Sequence, residues 1–206
     1  NILWGGEPFL QPKVLGKAVR FCKEELRIPS VTIVTNGSKV TEKWMSEYGR
    51  YVDYLAVSCD SFDEETNRLI GRGTGGGESH VSSMRRVAAL CRRYGVWFKL
   101  NTVVNTHNAD EDMTDMIREL QPRRWKVFQC LLIDGENAGA DALRDASRLV
   151  VSDSTFEKFI RRHESVNPVA EPNNLMRNSY LILDEQMRFL NCTEGDKRPT
   201  KSILDV

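Results

Sequence analysis

NILWGGEPFL, residues 1–10, is a short apolar run of strand character that drops at once into Gly5-Gly6-Glu7-Pro8. Paired glycines directly after a strand mark a place where the backbone turns sharply or comes close to something. Working outward, runs of the same kind recur. VTIVTNG (31–37), YLAVSCD (54–60), WFKLNTVVN (97–105) and WKVFQCLLI (125–133) are short and rich in Val, Ile, Leu, Phe and Trp. Helical patterns separate them. From Lys13 to Leu26, Leu15, Ala18, Val19, Cys22 and Leu26 share one face, and Thr41 can cap TEKWMSEY. From His80 to Tyr94, Val81, Met84, Val87, Cys91 and Tyr94 recur at helical spacing, and Asp110 to Leu120 opens with acids, as a helix dipole favours. Strand–helix alternation with near-continuous apolar strands predicts a parallel sheet covered by helices, either an open doubly wound sheet or part of a barrel.

The last third changes style. Ser154-x-x-Glu157 has the spacing of a capping box, Asn167 to Asn174 reads as a loop, and SYLILDEQMRFLNC predicts a hairpin turning at Asp184-Glu185. No strict repeat or low-complexity linker divides the chain. Its 206 residues are expected to form a single domain, with 1–150 as the core and 151–206 as a C-terminal extension.

An apolar fraction of 40%, a charged fraction of 28% and a formal net charge of zero are ordinary for a globular protein. They point to neither a nucleic-acid partner nor an anionic membrane. No apolar run approaches the roughly 20 residues of a membrane span, so cytoplasmic localisation is the default expectation. Cys22, Cys59, Cys91, Cys130 and Cys192 are widely spaced and odd in number, which argues for a reducing compartment and against a disulfide framework. None has the spacing of a metal-binding knuckle, and each reads as a small buried hydrophobe.

In parallel α/β folds ligands sit at the C-terminal ends of the strands. The first strand delivers Gly5-Gly6-Glu7-Pro8 there, the second Thr35-Asn36-Gly37-Ser38 and the third Ser58-Cys59-Asp60-Ser61. Turn chemistry alone favours the same residue types. The cations of the next two strands are harder to explain that way. Lys99 and Asn101 share one face of their strand, and Arg124 and Lys126 share a face of the next. An unpaired buried cation costs several kcal/mol, so the pattern suggests either an anion of several charges or pairing with carboxylates such as Asp134 and Glu136. GRGTGGGES (71–79) lacks the Gly-Lys-Ser/Thr ending of a phosphate loop and reads as a lid, with Arg72 available to a carboxylate or phosphate. His80, His107 and His163 have no nucleophile beside them, and Asp60 and Asp63 fit a helix start better than acid–base work. No reactive side chain stands out, which leaves the hard chemistry to a cofactor.

GGEP after a strand, followed by TNG and SCDS at later strand ends, resembles the core of radical S-adenosylmethionine enzymes. RFCKEEL, SCDSFDEETN, LIGRG, RWKVFQCLLIDGEN and SYLILDEQMRFLNC resemble the viperin-like branch of that superfamily, and the resemblance runs from Gly5 to Val206. It implies an α/β fold, a partial (β/α)6 radical-SAM barrel with a C-terminal helix and β-hairpin extension. It also implies a 4Fe-4S cluster on a Cys-x-x-x-Cys-x-x-Cys segment, a pattern this sequence does not contain. The chain is therefore expected to be a piece of a longer protein, with the cluster segment before Asn1, a further tail after Val206 and no metal ligand of its own.

Carried over residue by residue, the resemblance implies S-adenosylmethionine at Gly5, Gly6 and Glu7, whose backbone would meet the amine, and at Asn36, Ser58 and Arg72. It implies a nucleoside triphosphate at Lys99, Asn101, Arg124 and Lys126, and an external electron donor. The implied reaction converts CTP to its 3′-deoxy-3′,4′-didehydro form through a 5′-deoxyadenosyl radical, in an antiviral role. A nucleotide-binding protein without radical chemistry and a radical enzyme for another phosphorylated substrate are the alternatives. Trp4 departs from the small residue expected before the glycines, where an indole either narrows the site or packs beneath the barrel.

Overall fold

The computed structural model describes residues 2–3, 6–72, 78–132, 137, 145–176, 182–184, 186–191 and 198–205. Six strands, β1 (Ile2–Leu3), β2 (Thr32–Thr35), β3 (Tyr54–Ser58), β4 (Trp97–Val104), β5 (Arg124–Gln129) and β6 (Val169–Glu171), form one all-parallel sheet in sequential order. Helices α1 (Pro12–Glu24), α2 (Glu42–Tyr48), α3 (Glu64–Ile70), α4 (His80–Tyr94), α5 (Thr114–Leu120) and α6 (Asp153–Arg162) fill the crossovers. A doubly wound sheet reverses its strand order at a switch point, and this one does not. With right-handed crossovers all running one way, the helices collect on a single face, which is the wall of a partial barrel. After α7 (Asn173–Met176), strands β7 (Ile182–Leu183), β8 (Arg188–Asn191) and β9 (Arg198–Ser202) pair antiparallel in a separate sheet.

The two faces of the parallel sheet differ sharply. On the helix side, Ile33, Leu55, Val57, Phe98, Leu100, Val104, Trp125 and Val127 are buried against Val19, Met45, Met84, Val87, Ile117 and Phe159. On the other side Lys99, Asn101, Val103, Lys126, Phe128, Val169 and Glu171 are only partly covered and Arg124 is exposed. The central strands therefore alternate rather than run continuously apolar, contrary to expectation. A strand with one dry face must segregate its side chains by parity.

Other boundaries also move. The predicted loop at 167–174 contains β6, a strand of three residues between Pro168 and Pro172 whose existence depends on pairing with β5. So short a run carries no period of its own. Residues 110–113 lie outside α5, because Met113 gives its amide to His163 instead of to a helix. The cap of α6 is Ser152, whose hydroxyl accepts from the Thr155 amide at 3.2 Å, and Ser154 stands inside the helix. Leu26 lies past the end of α1 and is exposed. The hairpin forms with Asp184 at its turn, and β9 adds an unforeseen third strand; Glu185 lies outside the described residues. No helix among the described residues is long and apolar enough to cross a membrane.

His163 shows how the α5–α6 layer is locked. The Met113 amide donates to Nε2 at 2.9 Å, which obliges Nδ1 to carry the proton it gives the Phe159 carbonyl at 2.8 Å. The ring stands edge-on to Trp125, 5.1 Å between centroids, and burial holds the imidazole below its usual range. Burial likewise lowers His80, the first residue of α4. Above the unfolded value of about 6.5 both states are neutral. As pH falls below it, the unfolded chain takes up protons that the folded one refuses, so stability declines. Denaturant unfolding at pH 7.5 and 5.5 is expected to show a loss on the order of 1 kcal/mol attributable to His163. His163→Gln, which keeps an acceptor for Met113, should flatten that part of the profile.

Candidate functional site

Strand register stacks the polar side chains of the open face in layers. Ala56, Lys99 and Arg124 are register partners across β3, β4 and β5. Two residues further along, Ser58, Asn101, Lys126 and Val169 align across four strands. Two further still come Val103, Phe128 and Glu171, toward the C-terminal ends. At about 3.3 Å per residue, successive layers lie roughly 6.6 Å apart. The sequence-predicted cations thus share one column, with Lys99 and Arg124 deepest and Lys126 above them.

The electrostatics of that column are unusual for a sheet. Burial, then the charges of Arg124 and Lys126, hold the Lys99 ammonium below its ordinary range. Its Nζ rests 3.5 Å from the centroid of the Tyr54 ring, a cation–π contact. Lys126 Nζ meets Glu171 Oε1 at 2.5 Å, with the two side chains 21% and 18% exposed. The carboxylate partner is therefore Glu171; Asp134 and Glu136 lie outside the described residues. Among the described residues neither Lys99 nor Arg124 has an acidic partner. Three clustered cations, two of them with no acidic partner among the described residues, favour an anion of several charges.

The ends of β1–β3 are built differently. Gly6 adopts φ +53°, and a Cβ placed there would meet nothing within 4 Å, so its glycine is required by conformation while the space above it stays open. Gly5 and Trp4 lie outside the described residues. The Glu7 carboxylate ties β1 to β2: Oε1 accepts from Thr35 Oγ1 at 2.7 Å and the Phe9 amide at 3.1 Å, and Oε2 accepts from the Asn36 amide at 2.7 Å. Its carbonyl accepts from the Leu10 amide at 3.1 Å. Asn36 Oδ1 accepts from the Ser38 amide and hydroxyl, fixing the TNG turn.

Ser58 closes β3, and the neutral His80 ring contacts its carbonyl through Nε2 at 3.1 Å. Arg72 follows Gly71, the left-handed cap of α3, and its Nε pairs with the buried Asp60. Asp60 Oδ1 also accepts from the Val103 amide at 2.9 Å, so this carboxylate anchors an arginine and a strand rather than starting a helix. Asp63 does start one, accepting from Thr66 at 2.7 Å. Glu111, expected in a helix, grips Ser61 Oγ at 2.6 Å and the Phe62 amide at 2.8 Å. Residues 73–77 of the glycine-rich stretch lie outside the described residues.

Ser58 and Asn101 are where the two groups meet. Asn101 Oδ1 is buried and has no hydrogen-bond partner among the described residues, an acceptor awaiting a donor. Together with the open space over Gly6 and the guanidinium of Arg72, this fits a ligand bearing hydroxyls, an amine and a carboxylate, as S-adenosylmethionine does. The side chains of the described residues are not grouped to hold an iron–sulfur cluster. Among the described residues no three His, Cys, Asp or Glu side chains gather as a metal site. Burial pushes the Cys91 thiol up to about 12 and the Cys59 thiol higher still, so both remain protonated hydrophobes. Cys22 and Cys130 are free thiols, and Cys192 lies outside the described residues.

Sequence reasoning missed Glu171, Tyr54 and His80 as members of this site. Glu171 sat in a predicted loop, and Tyr54 looked like one more strand aromatic. Glu7→Ala should cost on the order of 2 kcal/mol through its lost charge-assisted bonds. Hydrogen exchange should show the Asn36 amide losing protection while amides in α4 keep theirs.

Comparison with known proteins adds lineage to this geometry. A family model described as the radical SAM superfamily matches residues 1–120. The S-adenosylmethionine-dependent nucleotide dehydratase RSAD2 of Siniperca chuatsi is 60% identical over 205 residues, covering 98% of this chain and 58% of the relative. The S-adenosylmethionine-dependent nucleotide dehydratase of Flammeovirga pacifica is 32% identical over 204 residues, covering 98% of this chain and 67% of that protein. The chain thus spans less than two thirds of the length of its fish relative. The crystal structure of native anSMEcpe with bound AdoMet superposes with a TM-score of 0.72 at 18% identity, over 100% of this chain and 63% of that one, a likeness of fold. The singly wound parallel wall, the glycine-rich end of β1 and these matches together establish that the chain belongs to the radical SAM superfamily, as a viperin-like member of it.

Proposed function

We propose that the full-length protein is a radical SAM nucleotide dehydratase that takes a nucleoside triphosphate, CTP foremost, to its 3′-deoxy-3′,4′-didehydro form in cytoplasmic antiviral defence. The carrying observation is the cation column of Lys99, Arg124 and Lys126 on the open face, with two of its members lacking any acidic partner among the described residues. The name of the relatives, nucleotide dehydratase, agrees with a nucleotide substrate.

S-adenosylmethionine, with a reduced 4Fe-4S cluster and an external electron donor, would supply a 5′-deoxyadenosyl radical. Everything else asked of this chain is placement. The amides of Gly5, Gly6 and Glu7, the TNG turn, Ser58 and Arg72 would hold that cosubstrate at the ends of β1–β3. Lys99, Arg124 and Lys126 would draw the phosphates down toward the strand N-termini, leaving the sugar near Asn101 and the strand C-termini. The like-charge strain on Lys99 would be relieved when phosphate oxygens arrive. Glu7, Asp60 and Glu111 are committed to backbone amides, hydroxyls and Arg72, and Glu171 is paired with Lys126, so the pocket would work by orientation rather than by a side-chain acid or base.

The test uses the full-length protein with its cluster rebuilt anaerobically, a reductant and S-adenosylmethionine, in the presence of CTP, UTP, GTP or ATP. Mass spectrometry should find 5′-deoxyadenosine rising with CTP, matched by a nucleotide lighter by one water. No rise with any nucleotide, despite a filled cluster, would overturn the radical reading and leave a nucleotide-binding protein. Arg124→Ala and Lys126→Ala should each weaken CTP binding on the order of 10- to 100-fold in calorimetry. Unchanged affinity in both would dismiss the phosphate assignment.

A further inference from the structure

Glu171 is an acid in a place that a polyanion site should avoid. It ends β6 on the open face, level with Phe128 and Val103, one layer above Lys126 and two above Lys99 and Arg124. Its side chain is 18% exposed, and Oε1 receives the Lys126 ammonium at 2.5 Å. Among the described residues Oε2 has no hydrogen-bond partner. The carboxylate is therefore anchored by one oxygen and offers the other, an acceptor, to the open face.

Two consequences follow from charge alone. A phosphate group brought to the level of Glu171 would meet a half-buried carboxylate, a repulsion that low local dielectric strengthens. The same carboxylate is a strong acceptor for a hydroxyl donor at that level. A nucleotide whose phosphates occupy the cation layers places its sugar at their upper edge, between Asn101 Oδ1, a buried acceptor in the Lys126 layer with no partner among the described residues, and Glu171 Oε2 one layer above.

Resting on the polyphosphate reading above, we infer that Glu171 is the sugar-reading residue of this site: its carboxylate, moored by Lys126, accepts from a ribose hydroxyl and admits the nucleotide phosphates-first only. Glu171 is thus a positioning and specificity residue. It discriminates ribose from deoxyribose and contributes little to the grip on the phosphates themselves.

The experiment uses the full-length, cluster-loaded protein and four probes: CTP, its 2′-deoxy and 3′-deoxy counterparts, and inorganic tripolyphosphate. Glu171→Gln should weaken CTP binding about tenfold, the loss of one charge-assisted bond. It should compress the preference for CTP over at least one deoxy counterpart, and leave tripolyphosphate affinity unchanged or tighter. Glu171→Asp, which keeps the charge, should restore part of the discrimination and serves as the second variant should the glutamine protein fold poorly. Equal weakening or equal tightening toward all four probes would overturn the inference, making Glu171 a mere counterion of Lys126. Failure of the underlying reading would look different. Arg124→Ala would leave tripolyphosphate binding untouched, and the Glu171 inference would fall with it.

Discussion

The structure depends on one topological constraint: six parallel strands in sequential order, joined by crossovers of one hand. That arrangement puts the crossover helices on one face and leaves the other only partly covered among the described residues. The buried face can then be filled with Leu, Val, Trp and Phe at interior density, while its opposite carries lysine, arginine, asparagine and glutamate within the same strands. A sheet covered on both sides could not hold Lys99, Asn101 and Lys126 at its centre without large desolvation costs. A charged and polar surface is thus built into the strands themselves, where backbone rigidity positions it better than a loop would.

On that frame the carboxylates are divided by task. Glu7, Asp60 and Glu111 are spent on structure, respectively tying β1 to β2, Arg72 to β4, and the β3 turn to the segment before α5. Each accepts two or more donors, so each is a strut and none is poised to exchange a proton with a ligand. Among the described residues, Glu171 differs in facing the open surface in partnership with a cation of the column. Under the proposed function, this division lets acidic residues and an anion share one site.

The two halves of the site also differ in how they are made. The ends of β1–β3 are turns and caps, shaped by Gly6, the Asn36–Ser38 bonds and Gly71. The β4–β6 half is made of strand side chains in register, layered along the strands. Cosubstrate binding through backbone amides suits the first, and a graded column of charge suits the second. Asn101 and Ser58, paired in register, join them.

Much of this was legible in the sequence, because it depends on local patterns. Apolar runs alternating with helical periods read directly as β2 to β5 and α1, α2 and α4, since burial of one helix stripe leaves a period that survives without neighbours. Lys99, Asn101, Arg124 and Lys126 were recognisable because cations within apolar strands need a reason. Other features were settled only in three dimensions. β6 is three residues long and exists because β5 offers it hydrogen bonds, so no window of sequence contains its cause. The partner of Lys126 comes from 45 residues away, through that same pairing. Whether Asp60 would start a helix or hold Arg72, and whether His163 would titrate or lock a core, likewise turned on what packed beside them. Periodicity records which face of an element is buried; only the tertiary structure decides which distant side chain shares that face.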